Sequence, residues 1–203
     1  SKDTAEEIWN TANQQLQNDS ALSVRGLLEK FNVVRVCTTD DPTASLIQHQ
    51  RLAENYTAVS VLPTFRPDNA HNVQSPAEFK EWIHKLELSS GHNINNFKGL
   101  VAALQVRHKH FQAHGCKLSD HGLPYAPQLE FSEVELDNIF SNAVSGQAAS
   151  DDEWEAFSYA ILKYVAEWNY KAGWTMQLHL GPQRNVNSAK FLTTGRDSGF
   201  DTM

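Results

Sequence analysis

Four short apolar runs alternate with long helix-patterned stretches along these 203 residues, and each run ends in polar residues. The runs are VVRVC (33–37), AVSVLPT (58–64), CKLS (116–119) and WTMQLHL (174–180). They are rich in β-branched and apolar residues and are cut off by Asp-Pro, Arg-Pro, Asp-His-Gly and Gly-Pro, so they read as buried strands. Helical spacing fills the gaps at 44–56, 75–90, 95–115, 132–144 and 150–173, and two more helices, 4–17 and 23–32, precede the first strand. The first of these carries Ile8, Trp9, Ala12 and Leu16 as an apolar stripe. Ser132 and Ser150 open their helices as caps with acids in the first turn, and Gly115 closes 95–115. Trp154, Phe157, Ile161, Tyr164, Val165 and Trp168 form a packing stripe toward the strands. Strands that alternate with helices imply parallel pairing with right-handed crossovers.

A doubly wound sheet and a (β/α)₈ barrel both satisfy that order. The strand ends separate them: Thr38-Thr39-Asp40-Asp41-Pro42, Pro63-Thr64-Phe65-Arg66-Pro67-Asp68, Ser119-Asp120-His121-Gly122 and His179-Leu180-Gly181. None leads into a glycine-rich phosphate loop, which argues against a nucleotide site. Ionisable groups from several successive strands at one mouth are barrel behaviour. The expected fold is therefore a partial (β/α)₈ barrel of about four parallel strands, with 70–115 as a helical crossover insertion. A whole barrel takes roughly 250 residues for eight strands. Residues 1–203 are thus expected to be a single segment of one barrel domain, with N- and C-terminal parts of that fold missing.

Composition narrows the partners. Lys and Arg number 17 against 24 Asp and Glu, a formal charge of −7. Nucleic acid and anionic membrane surfaces both reward clustered cations, so neither is expected. No apolar run approaches the roughly 18 residues of a membrane span, and SKDTAEEIWN is no signal segment. Cys37 and Cys116 both fall in expected strands and read as buried reduced thiols, which points to the cytoplasm.

The stretches VVRVCTTDDP, VLPTFRPD, LSDHGL and MQLHLGPQRNVN, followed by GRDSGFD, resemble the uronate isomerase family in order and spacing. The similarity runs from about Ser20 to Met203. It implies a place in the amidohydrolase superfamily of (β/α)₈ barrels and the interconversion of aldo- and keto-uronates: D-glucuronate with D-fructuronate, D-galacturonate with D-tagaturonate. It also implies a uronate as small-molecule substrate, a homo-oligomer, and a divalent metal such as zinc in the full-length enzyme. The family's His-x-His pair on a first strand, and its Asp with nearby Arg on a last strand, have no counterpart on a strand here. His108-x-His110 lies in a helical run, its rings on different faces. The resemblance therefore implies a central segment.

Moving a proton between adjacent carbons of a sugar acid needs a base, an electrophile for the enediolate oxygens and a cation for the carboxylate. The resemblance makes His179 a proton-transfer partner or metal ligand; on its residues alone it is equally a strand-end histidine satisfied by backbone. Arg66 suits a bidentate carboxylate contact, or else a salt bridge to Asp68 or Asp40. Arg184 has the same possible use, on a loop that solvent could claim. Asp120 and His121 could orient a water or a metal ligand, or Asp120 could cap a turn. Asp40 is a better functional candidate than Asp41, which Pro42 marks as a turn. Asn185 and Asn187 could donate to sugar hydroxyls or make turns. His108, His110 and His114 read as an exposed basic face. The rival readings are a metal-dependent hydrolase of the same superfamily, disfavoured because no strand end carries a lysine, and a non-catalytic, self-associating segment.

Overall fold

The computed structural model describes residues 2–181, 184–195, 198–200 and 202. They fall into two compact units, one of residues up to Thr38 with Ile47–Leu62, the other of Thr39–Leu46 with Pro63 onward.

The first unit holds α1 (Lys2–Asn18), a 3-10 turn at Ser20–Leu22, α2 (Val24–Lys30), β1 (Arg35–Cys37), α3 (Ile47–Asn55) and β2 (Ser60–Leu62). Asp19 accepts from the Ala21 N–H and Ser23 from the Gly26 N–H, so short polar side chains start both turns. β1 and β2 pair in parallel, Arg35 opposite Ser60 and Cys37 opposite Leu62. Helix α1 forms where its spacing predicts, but Ile8, Trp9 and Leu16 are exposed. The expectation of uniformly buried strands fails at β1 and at the run 174–180, where Leu178 and Leu180 are exposed. Neither cysteine is in a disulfide; Cys37 is exposed and Cys116 buried. Alternation puts Arg35 and Cys37 on one pleat face, and both are exposed on it.

The second unit carries a 3-10 turn at Asp68–His71, then α4 (Pro76–Ser90), α5 (Phe97–Ala113), β3 (Leu118–Leu123), α6 (Glu133–Val144), α7 (Asp151–Ala172), β4 (Thr175–Leu180) and α8 (Ser188–Thr194). Capping boxes at Ser132/Glu135 and Ser150/Glu153 start α6 and α7. Helix α5 ends at Ala113, two residues before Gly115, which takes a positive φ of 85°. Phe79, Leu100, Leu104, Phe111, Phe140 and Phe157 are almost wholly buried, and Phe79 meets Phe140 and Phe157 edge-on at 6.0 and 6.2 Å. The stripe on α7 behaves as its spacing predicts: Phe157, Ile161, Val165 and Trp168 are buried, with Trp154 and Tyr164 partly so.

β3 and β4 pair in parallel, with Asp120 opposite Gln177 and Gly122 opposite His179. Parallel bridges link Asp40 to Phe65 and Phe65 to Ser119. Asp40, Phe65, β3 and β4 thus form neighbouring parallel segments in chain order. Buried Arg107 spans the loop before α3 and the end of α4, donating to the carbonyls of Pro42, Ala44 and Ser89 at 2.6, 2.7 and 3.0 Å.

His108 departs from the expected exposed face. It is buried, stacked on Trp174 at 3.9 Å, and its Nε2 lies 3.0 Å from Asn169 Oδ1. Asn169 Nδ2 donates to Ser119 Oγ at 2.7 Å, which lies 2.8 Å from His121 Nε2. Helix α5 has neighbours on more than one side, so a polar ring facing inward is kept because it is hydrogen-bonded. Asn169→Ala would leave His108 and Ser119 without this partner; we expect a loss of roughly 2–4 kcal/mol of stability, read from the urea unfolding midpoint.

Candidate functional site

Alternation along β3 divides its polar residues between two faces. Ser119 and His121 turn toward Asn169 and are fully buried. Asp120 turns the other way, where Arg66 and His179 meet it. Arg66 Nη1 lies 3.2 Å from Asp120 Oδ2. His179 Nδ1 lies 2.6 Å from Asp120 Oδ1, close enough for an ion pair though short of hydrogen-bond alignment. Arg66 Nε is 2.7 Å from Asp68 Oδ2, and the Asp68 carboxylate accepts the Gly122 N–H at 3.2 and 3.3 Å.

A single buried carboxylate therefore bridges a guanidinium and an imidazole carried by different strand ends. Asp120 has a side-chain exposure of 7%, against 28% for Arg66 and 52% for His179, so the pair it organises opens to solvent while it does not. Gln177 Nε2 lies 3.2 Å from His179 Nε2. With the amide as donor, Nε2 is the acceptor and the neutral ring carries its proton on Nδ1, facing Asp120; Gln177 must release Nε2 before that nitrogen can take a proton from a ligand. Arg66 sits between two carboxylates, so Arg66, Asp68 and Asp120 together carry one net negative charge at neutral pH. An anionic ligand there requires a further positive charge.

Of the other expected site residues, Asp40 neighbours Arg66 in the parallel ladder, the Arg66 N–H donating to its carbonyl at 2.9 Å. Its carboxylate accepts the Thr64 N–H at 3.3 Å. Asp41 is structural: Trp82 Nε1, Asn69 Nδ2 and the Thr43 hydroxyl all donate to it. His121 is not brought to the Asp120 side of the strand, because its neighbours in sequence alternate. Arg184 is exposed between β4 and α8. Asn185 takes a left-handed φ of 54°, and Asn187 caps α8 by accepting from the Lys190 N–H. Pro182, Gln183, Arg196, Asp197 and Asp201, within the last two family-like motifs, lie outside the described residues. The Arg66–Asp68 salt bridge, one of the two sequence readings of Arg66, forms; Gly122 is the contributor hardest to find in sequence.

The described residues include no group of three His, Cys, Asp or Glu side chains able to hold a metal ion. His179 offers one oriented nitrogen, so the donors present do not by themselves make a metal centre. No helix among the described residues is long and apolar enough to cross a membrane.

Burial also sets the charge state behind the strand. Desolvation holds the pKa of His71 down to about 4. His121 is likewise held to about 4, first by desolvation and then by the neighbouring His71. Both are neutral when folded and charge on unfolding below their ordinary value of 6.5. Their contribution to stability is intact above pH 6.5 and is lost as pH falls toward 4. Two protons taken up on unfolding give a slope of at most about 2.7 kcal/mol per pH unit near pH 5. Urea midpoints measured from pH 7 to 4.5 check this, and His71→Gln should remove about half the slope.

These features define an α/β protein with parallel strands and polar side chains gathered toward the strand C-terminal ends. The chain belongs to the glucuronate isomerase family, whose model matches residues 1–203. It is 41% identical over 200 residues to a uronate isomerase of Lachnospira eligens and 38% identical to one of Bacteroides thetaiotaomicron, covering 98% of this chain and 42% of each relative. The chain thus spans less than half the length of the curated relatives it matches. A crystal structure of uronate isomerase from Thermotoga maritima superposes on all of it with a TM-score of 0.91 at 33% identity, over 44% of that chain. Glucuronate isomerase from Caulobacter crescentus gives 0.81 at 28% identity, over 90% of this chain and 38% of that one.

Proposed function

We propose that these residues are the central part of a uronate isomerase, a partial (β/α)₈ barrel that interconverts D-glucuronate with D-fructuronate and D-galacturonate with D-tagaturonate. The observation that carries this reading is the Arg66–Asp120–His179 cluster, which pairs an anion-binding guanidinium with an imidazole oriented by a buried carboxylate. His179 is the proton-transfer group. With Nδ1 facing the Asp120 carboxylate, its Nε2 accepts the proton from the carbon next to the aldehyde as the aldehyde oxygen gains a proton to give the enediol; the same ring then returns its proton to the former aldehyde carbon as the neighbouring hydroxyl gives up its own and becomes the ketone. Asp120 fixes the tautomer and stabilises the charged ring. Arg66 orients the substrate carboxylate, with Arg184 and Asn185 as further contacts from the segment after β4 and Asp40 beside Arg66 as a hydroxyl acceptor. Since Asp68 and Asp120 outweigh the Arg66 charge, a cation from the remainder of the protein completes the anion site. A divalent metal such as zinc, with His179 among its ligands, would need donors beyond the residues described. A homo-oligomer and a cytoplasmic setting accord with the same reading. The test is ketose formation from D-glucuronate and D-galacturonate by a polypeptide carrying these residues within the family's full length; no turnover on either sugar acid would overturn the assignment.

A further inference from the structure

We infer that Asp68 and Gly122 are positioning residues that hold the Arg66 guanidinium flat against β3, beside His179. The inference rests on the isomerase reading for its substrate, but its geometry is independent of it. Asp68 does two things with one carboxylate. It takes Arg66 Nε at 2.7 Å, and it accepts the backbone N–H of Gly122 at 3.2 and 3.3 Å, so the guanidinium is tied to the strand through a shared anion. Gly122 supplies the space. A Cβ there would stand 2.5 Å from Arg66 Nη2, 3.1 Å from Asp68 Oδ2 and 3.7 Å from Arg66 Cζ. A side chain at 122 would therefore displace the guanidinium from this position; the glycine's backbone is ordinary strand. Its register partner on β4 is His179, so the space left by the missing side chain sets Arg66 next to the imidazole. Asp120 on the same strand then takes Nη1 at 3.2 Å, and two carboxylates fix the plane from two edges.

This arrangement makes an unusual prediction for Asp68, because charge and geometry act in opposite directions. Removing its charge favours an incoming sugar carboxylate; removing its hydrogen bonds lets Arg66 swing. Asp68→Asn keeps an acceptor for Arg66 and for the Gly122 N–H, whereas Asp68→Ala loses both. In the family-length protein, the KM for D-glucuronate should rise about tenfold in Asp68→Ala, the scale of one charge-assisted hydrogen bond. It should stay at or below the wild-type value in Asp68→Asn. Gly122→Ala should raise KM by about the same tenfold, with kcat less affected because carboxylate binding is lost equally before and during the reaction. Equal KM values in Asp68→Asn and Asp68→Ala would overturn the positioning role, since a purely electrostatic one treats them alike. So would Gly122→Ala with wild-type KM. A crystal structure of Gly122→Ala reads the same claim without turnover: the guanidinium should have left Asp120, and finding it in place would refute the inference. If the wild-type protein turns over neither uronate, the isomerase reading fails and this structure alone decides the positioning claim.

Discussion

The isolated chain of 203 residues should form no detectable ketose from D-glucuronate, while a polypeptide of the family's full length that contains it should be active. The described residues provide one oriented imidazole and the guanidinium of Arg66, and no group of three potential metal donors. The relatives it matches are more than twice as long. Losing a single preorganised donor to a developing oxyanion costs about 10²- to 10³-fold, so a site lacking several should fall by more than about 10³-fold. A sugar acid could still dock at Arg66, but binding that does not strengthen in the transition state yields no rate. Incubating both polypeptides with D-glucuronate and following the ketose checks this. Comparable turnover would mean that the machinery lies wholly within these residues.

Asp120→Ala in the full-length protein should lower kcat/KM by about 10²- to 10³-fold. Loss of a carboxylate that orients a working histidine commonly costs about 10- to 100-fold, and here the same carboxylate also fixes Arg66. Its removal leaves Arg66 with Asp68 as its carboxylate partner and takes the carboxylate away from His179. Asp120→Asn should fall between wild type and Ala, because an amide can hold one partner but cannot stabilise the imidazolium. Steady-state kinetics on the three proteins at pH 7 read the order; an Ala variant within threefold of wild type would show that the cluster does not serve turnover.

Much of the architecture is legible in the sequence because it rests on local signals. Ser132 and Ser150 announce their helices through caps and first-turn acids, and β-branched runs ended by Asp-Pro or Gly-Pro mark strands. Parallel pairing follows from the helices between them. Arg66, Asp120 and His179 are visible as polar residues at strand ends, but which of them meet is a matter of register. A shift of one residue along β3 would exchange Asp120 for His121 on the face toward His179; His121 is turned away for that reason alone. His108 is misread as exposed because its partner, Asn169, is 61 residues distant. A histidine in a helix shows no sign in sequence of a hydrogen bond that far along the chain. Gly122 resembles a turn residue in DHG, and its purpose becomes visible only with the Arg66 side chain above it. Cys37 looks buried by its apolar neighbours, yet burial of a strand depends on what covers each face.

The central claim is that His179, held by Asp120, moves the proton in uronate isomerisation. The most direct measurement is kcat for D-glucuronate in His179→Asn of the full-length protein, with the unfolding midpoint recorded alongside. General acid–base groups contribute about 10²- to 10⁴-fold, and His179 is half exposed, so its replacement should spare the fold. A kcat reduced by at least about 10²-fold at an unchanged midpoint is the expected result. A folded variant that turns over D-glucuronate at the wild-type rate would contradict the assignment.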